Sequence, residues 1–157
     1  MIPRYALPEG GGFLLEKIIR KYYDDILLYC YHHVGSYAVA EDLCQDTFVS
    51  FIEHYREFHH TGKTKNYLYT IAKNKCRDYY KKHAPVYMDE LPEQGTDSIE
   101  EDAVLKQLVS SLPEELKEVI ILRYFQDLKY SDIASILKIS PSLAKYRVKK
   151  GLELLRQ

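Results

Sequence analysis

Tyr130-Ser131-Asp132-Ile133-Ala134-Ser135-Ile136-Leu137, then Lys138-Ile139-Ser140, then Pro141 through Arg156, is the stretch whose reading decides the fold. The first segment reads as a short helix and the second as a tight turn. The third reads as a helix dense in Lys and Arg. Ser140 suits an N-cap, and Pro141 suits the first helical position, where its missing N–H costs nothing. Helix, three-residue turn and basic second helix spell a helix-turn-helix, which lays its second helix in the DNA major groove. Nucleic-acid binding is therefore the leading expectation.

Spacing within the second helix supports that reading. Ala144, Val148, Gly151 and Leu155 recur at intervals of four, three and four, so one narrow stripe faces the first helix. Gly151 lies on the stripe, where a missing side chain permits close approach at about 1 kcal/mol in helix propensity. Ser142, Lys145, Tyr146, Arg147, Lys149 and Lys150 occupy the remaining surface. From Lys145 to Gln157 there are five Lys/Arg and one Glu, a local charge of +4.

The 157 residues suffice for one ordinary domain or two small helical ones. The chain is nearly neutral, with 22 Lys+Arg against 23 Asp+Glu. That total conceals a pattern: residues 1–82 carry 12 basic and 10 acidic side chains, 83–111 carry 1 and 7, and 112–157 carry 9 and 6. Two basic modules are joined by an acidic connector. No apolar run approaches the roughly 18 residues that cross a membrane, and the start lacks the plan of a signal peptide. Neither membrane insertion nor secretion is expected. Cys30, Cys44 and Cys76 form no CxxC and leave one odd, which favours a reducing, cytoplasmic setting. Each falls on an apolar helical face and reads as a small core residue. The pairs His32-His33 and His59-His60 point apart on a helix, so neither makes a metal site alone.

Pro8-Glu9-Gly10-Gly11-Gly12 reads as a flexible leader (1–12). From Phe13 the pattern is helical. Leu14, Ile18, Tyr22, Ile26, Leu27 and Tyr31 space as the inner face of a long helix that Gly35-Ser36 breaks. A second helix runs from about Tyr37 to Tyr55, with Ala40, Cys44, Thr47, Phe48, Phe51 and Tyr55 inward. After the polar loop His59–Thr64, a third runs from about Lys65 to Lys82 and buries Leu68, Ile71, Ala72, Cys76 and Tyr79. These three form one core (13–83). Residues 84–100 hold two prolines, a glycine and a run of acids with no period, and read as a linker. Helical pattern resumes near Ile99, pauses at Leu112-Pro113, and continues through Glu114–Tyr124 into the helix-turn-helix, giving a second domain (101–157). The predicted class is all-α, with two small helical domains.

Three faces carry the chemistry. In the third helix Asn66, Thr70, Lys73, Arg77 and Lys81 share one cationic face, and Lys63–Lys82 holds seven Lys/Arg against one Asp. Tyr67, Tyr69, Tyr79 and Tyr80 are interleaved with it. Cations beside aromatics suit single-stranded nucleic acid, whose bases stack on flat partners at roughly 1–3 kcal/mol each; Tyr79 fits the core better. The second helix instead turns Asp42, Gln45, Asp46, Val49 and Glu53 outward, a face that repels phosphate and is either solvated or docks a protein. No Gly-rich phosphate loop, zinc spacing or nucleophile elbow is present, so no catalytic, cofactor or metal site is predicted.

Ala40-Glu41-Asp42-Leu43-Cys44-Gln45-Asp46-Thr47-Phe48 and Tyr67-Leu68-Tyr69-Thr70-Ile71-Ala72-Lys73-Asn74 resemble region 2 of bacterial sigma factors of the extracytoplasmic function (ECF) group, in the sigma-70 family. Leu112-Pro113-Glu114-Glu115, Ile133-Ala134 and Leu143-Ala144-Lys145-Tyr146-Arg147-Val148 resemble region 4. The resemblance spans Phe13 to Gln157 in the right order. It implies a helical region 2 that binds the RNA polymerase clamp, reads the −10 element and captures melted DNA, and a region 4 that reads the −35 duplex. By position, Asp42, Gln45, Asp46 and Val49 would dock the clamp. Lys63, Lys65, Asn66, Lys73, Asn74 and Arg77 would meet −10 DNA. Ser142, Leu143, Lys145, Tyr146, Arg147 and Lys149 would meet the −35 duplex. The acidic linker resembles the family's connector along the RNA exit path, and an anti-sigma factor is the implied regulator.

Three positions depart from the family's pattern. Tyr67 stands where Trp is usual, Leu143 where Thr is common, and Gly151 where Ala is common. Leu143 loses a hydroxyl but offers an apolar tip to a thymine methyl. Two other classes compete. A stand-alone helix-turn-helix regulator leaves the third helix and the acidic face unexplained. A sigma mimic that sequesters an anti-sigma factor is expected to lose the DNA-facing cations, yet Lys73, Arg77, Lys145, Arg147 and Lys149 are kept.

Overall fold

The computed structural model describes residues 12–55, 63–83 and 99–156. The leader to residue 11, the loop residues 59–62 and linker residues 84–98 lie outside them. Among the described residues there are seven α-helices and one π-helical turn, with no strand. The all-α expectation holds. The chain divides into two compact units, Met1–Asp89 and Glu90–Gln157.

The first unit contains α1 (Gly12–Val34), α2 (Tyr37–Glu53) and α3 (Thr64–Lys82). Helix α1 stops because Gly35 takes φ 71°, a conformation a Cβ disfavours. Its N–H closes the last turn onto the Tyr31 carbonyl at 2.8 Å. The next residue, Ser36, caps α2 by accepting the Val39 N–H at 3.4 Å. Two residues thus end one helix and begin the next. The inner face of α2 is as expected, with Ala40, Cys44, Thr47, Phe48, Phe51 and Tyr55 all buried. The Thr47 hydroxyl is satisfied within its own helix, donating to the Leu43 carbonyl at 2.7 Å.

Helix α1 corrects its expected stripe. Leu15, Ile19, Ile26, Leu27, Tyr29, Cys30 and Val34 are buried, whereas Leu14 is 46% exposed. Leu14-Leu15 and Ile18-Ile19 are adjacent apolar pairs, so periodicity alone could not choose between them. Aromatic packing decides: Tyr29 meets Tyr69 of α3 edge-on at 5.4 Å, and Tyr23 stacks on Phe48 of α2 at 5.7 Å. Each helix contributes one buried cysteine, none of them in a disulfide. Burial pushes the Cys44 thiol up to about 12. A hydrogen bond with Cys76, together with burial, holds Cys30 well above the usual thiol range. Protonated, water-excluded thiols are core residues.

The second unit contains α4 (Ile99–Ser110), α5 (Glu114–Ile120), the π turn (Ile121–Phe125), α6 (Tyr130–Leu137) and α7 (Pro141–Leu155). The expected helix Glu114–Tyr124 keeps α geometry only to Ile120. It then widens, and the Gln126 N–H reaches back five residues to the Ile121 carbonyl at 3.0 Å. Val119, Ile120, Ile121, Leu122, Ile133, Ile136, Ala144 and Val148 form the core. Gly151 makes the expected close approach, but to α5 and not to the first helix of the helix-turn-helix: a Cβ there would lie 3.0 Å from Ile120 Cγ1.

Candidate nucleic-acid interface

The corner between α6 and α7 is fixed by backbone bonds. Lys138 closes α6 in the left-handed region (φ 57°, ψ 46°). The Ile139 N–H then bonds the Ala134 carbonyl at 3.0 Å, five residues back. Ser140 accepts the Leu143 N–H on its hydroxyl at 3.1 Å, with Pro141 at the start of the helix. Helix α7 therefore leaves the corner in one direction.

Ala144, Val148 and Gly151 turn inward and are buried. Ser142, Leu143, Lys145, Tyr146 and Lys149 are exposed. Tyr146 is 61% accessible and lies opposite the buried stripe at the helix's 100° per residue. Arg147 is the exception. Its side chain is only 21% accessible and its Nη2 lies 3.9 Å from Glu115 of α5, whose own side chain is largely solvated, so the long contact is worth little in stability. Five of the six expected −35 residues form one open face, and Arg147 lies at its margin.

Two residues outside α7 join that face. Arg123, from the π turn, places its guanidinium 4.5 Å from the centre of the Tyr130 ring. The Lys145 ammonium lies 5.6 Å from the same ring. Arg123 is anchored in turn, with Nη1 donating to the Leu128 carbonyl at 2.9 Å. The sequence reading missed both, because a helical-wheel argument about α7 cannot see what packs beside it.

In α3 the expected −10 residues grade from exposed to half-buried. Lys63, Asn74 and Arg77 are exposed; Lys65, Asn66 and Lys73 are half-buried. Burial and Asp24 raise the Asp25 carboxyl, and Lys65 opposes them, so this lysine faces α1 as well as solvent. Thr70 donates to the Asn66 carbonyl at 2.8 Å. The tyrosines separate. Tyr69 is buried in the core, and burial raises its phenol well above the usual range. Tyr67 is half-buried beside Phe51, with ring centres 5.9 Å apart. Tyr80 donates to the His33 carbonyl, and Tyr79 stacks on His83 at 4.4 Å. Tyr67 keeps a partly open ring beside Lys65 and Asn66, while Tyr79 and Tyr80 keep theirs toward the C-terminal end of the helix.

On α2, Asp42, Asp46 and Glu53 are exposed and Gln45 and Val49 half-buried. Gln45 hydrogen-bonds the Tyr23 phenol, whose titration burial raises. An acidic outer strip thus lies on the same helix that closes the core.

Comparison with known proteins accounts for both units. The Sigma-70 region 2 family matches residues 18–85, and the Sigma-70 region 4 family matches residues 102–155. The chain is 29% identical to the ECF RNA polymerase sigma factor SigW of Bacillus subtilis (strain 168), over 95% of this chain and 90% of that one. It is also 29% identical to the RNA polymerase sigma factor YlaC of the same organism, over 91% and 94%. Among solved structures, CnrH in complex with the cytosolic domain of CnrY matches with a TM-score of 0.77 at 18% identity, over 94% of this chain and 88% of that one. The sigma factor RpoE bound to the anti-sigma factor NepR, from Bartonella quintana, matches with 0.73 at 20%, over 93% and 95%. The two structures share the fold, the two family matches together span most of the sequence, and the relatives agree in kind. The chain belongs to the sigma-70 family, in its extracytoplasmic function group, and is a promoter-specificity factor of bacterial RNA polymerase.

Proposed function

We propose that the two units divide promoter recognition as region 2 (13–83) and region 4 (101–157), joined by the acidic connector 84–100. Ser142, Leu143, Lys145, Tyr146, Arg147 and Lys149 read the −35 duplex. Lys63, Lys65, Asn66, Lys73, Asn74 and Arg77 bind the −10 element once it separates. Asp42, Gln45, Asp46 and Val49 dock the polymerase clamp. The observation that carries this reading is α7: small residues inward, cations and an aromatic outward, behind a capped corner. Near-neutral total charge suits a subunit that binds DNA tightly only with polymerase, because each neutralised phosphate adds sequence-independent affinity. The protein performs no chemistry of its own and works in the cytoplasm; no described helix is long and apolar enough to cross a membrane. The likeness to RpoE, solved with the anti-sigma factor NepR, and to CnrH, solved with the cytosolic domain of CnrY, supports an anti-sigma partner here.

Run-off transcription with core RNA polymerase on fragments of the source genome tests the reading. The expected result is initiation from a subset of fragments, lost with Lys145→Glu or Arg77→Glu. Binding to core without initiation from any fragment would remove the −10 and −35 assignments. No binding to core would remove the clamp assignment and favour the mimic.

A further inference from the structure

We infer that Tyr130 is a positioning residue for −35 recognition: its ring, backed by Arg123, holds Lys145 on the DNA-facing side of α7. The inference rests on the assignment of Lys145 to the −35 duplex. Arg123 and Lys145 both lie within cation–π range of one ring, at 4.5 and 5.6 Å. Arg123 is pinned by its bond to the Leu128 carbonyl, so the ring has one fixed neighbour and one mobile one. Among the described residues, Lys145 has no carboxylate partner. Without the ring, its four-carbon stem would sample many rotamers and lose entropy on reaching DNA.

The placement depends on two unusual backbone features. The π turn sets where Arg123 leaves the chain. Asp127 at φ 54° turns the following loop so that the Leu128 carbonyl meets Arg123. Left-handed conformations at residues other than glycine cost free energy and persist where the surroundings enforce them. The arrangement gives both features a shared purpose: they hold the ring beside the recognition helix. A ring that holds one cation before binding reduces the ordering cost of that contact, which is preorganisation.

The test uses the full chain assembled with core polymerase, on a promoter fragment recovered by run-off selection. Binding is measured for wild type, Tyr130→Phe, Tyr130→Leu, Lys145→Ala and the Tyr130→Leu/Lys145→Ala double variant. Tyr130→Phe is expected to bind as wild type, because the ring is retained. Tyr130→Leu is expected to weaken binding about two- to fivefold, the range of a partly exposed cation–π contact. In the Lys145→Ala background the same change is expected to have no further effect. A series of Phe, 3,5-difluorophenylalanine and 3,4,5-trifluorophenylalanine at 130 keeps the shape while draining charge from the ring face. Binding should weaken stepwise along it, and only while Lys145 is present. Additive losses from Tyr130→Leu and Lys145→Ala, or a flat fluorination series, would overturn the inference. If Lys145→Ala alone left binding unchanged, the −35 assignment of Lys145 would fail first, and the positioning role with it.

Discussion

The two basic helices, α3 and α7, carry similar charge and use it differently. Helix α7 has a narrow inward stripe of Ala, Val and Gly, and nearly everything else is open to solvent. Helix α3 is the third wall of a core. Tyr69 is swallowed by that core, and Lys65, Asn66 and Lys73 are only half exposed. A duplex groove admits a whole helix, so its reader must present a convex, unobstructed cylinder. A separated strand can lie along a shallower, partly walled surface, where the half-open Tyr67 offers a flat partner. The contrast teaches that basic charge alone does not identify a nucleic-acid surface; the size of the residues on the opposite side does.

The largest effect that could break this comparison comes from charge reversal. Lys145→Glu/Lys149→Glu is expected to reduce initiation from a duplex promoter on the order of 100-fold, with helicity unchanged by circular dichroism. Lys73→Glu/Arg77→Glu should also reduce initiation, and supplying a premelted −10 bubble should not restore it, because the contact with the strand itself is lost. Full rescue by the bubble would mean that α3 acts in strand separation and not in capture.

A smaller effect concerns the stripe that frees α7. Gly151→Val places branches where a single Cβ already lies 3.0 Å from Ile120, and is expected to cost about 1–3 kcal/mol in denaturant unfolding. In Gly151→Ala the gain in helix propensity, about 1 kcal/mol, opposes the same contact. A net change within about 1 kcal/mol is expected, the isoleucine yielding by a few tenths of an ångström.

Alkaline pH should separate the units without any mutation. All three cysteines lie in the first unit. The Cys44 thiol is raised by burial from 9.0 to about 12, and Cys30 is raised in the same direction. A raised folded value means that stability is fully present below pH 9 and is lost as pH climbs toward 12, since the unfolded chain releases the proton first. By pH 10 the loss attributable to Cys44 is about 1 kcal/mol. Calorimetry between pH 8 and 11 should show the transition assigned to α1–α3 falling, while iodoacetamide at pH 8 leaves the thiols unmodified until denaturant is added. Rapid alkylation of the native protein at pH 8 would contradict their burial.

The smallest effect tests Leu143, 36% accessible on the first turn of α7. Replacing thymine by deoxyuracil in the −35 element removes only a methyl group. It is expected to weaken wild-type binding about two- to fivefold, the worth of one buried methyl, and to leave Leu143→Ala unaffected. Equal losses in both proteins would assign the methyl contact elsewhere, Tyr146 being next in line.

The legible parts of the molecule are those where one residue type has one meaning. Ser140-Pro141 and Gly35-Ser36 mark helix boundaries through capping and backbone freedom, and α2 and α7 begin where those signals place them. The stripe of α7 was legible because small residues alternate with cations. The face of α1 was not, because Leu14-Leu15 and Ile18-Ile19 offer two equivalent stripes. Tyrosine is the other obscure letter: Tyr69 packs inside while Tyr67, two residues earlier, stays half open. Arg123 and Tyr130 were invisible as site residues because a neighbouring turn, and not their own spacing, brings them to Lys145.

The π turn also has a consequence for insertions and deletions. It takes in one more residue than ordinary winding, so losing one residue between Ile121 and Phe125 can be absorbed as plain α-helix, with Val119 and Ile120 still buried. Residues beyond the turn would keep their places, while side chains within it would be re-aimed. Arg123 would leave the Leu128 carbonyl and the Tyr130 ring. A gene losing one codon there would still specify the fold while losing the support beneath Lys145, so chain length is under tighter constraint at this turn than the fold alone requires.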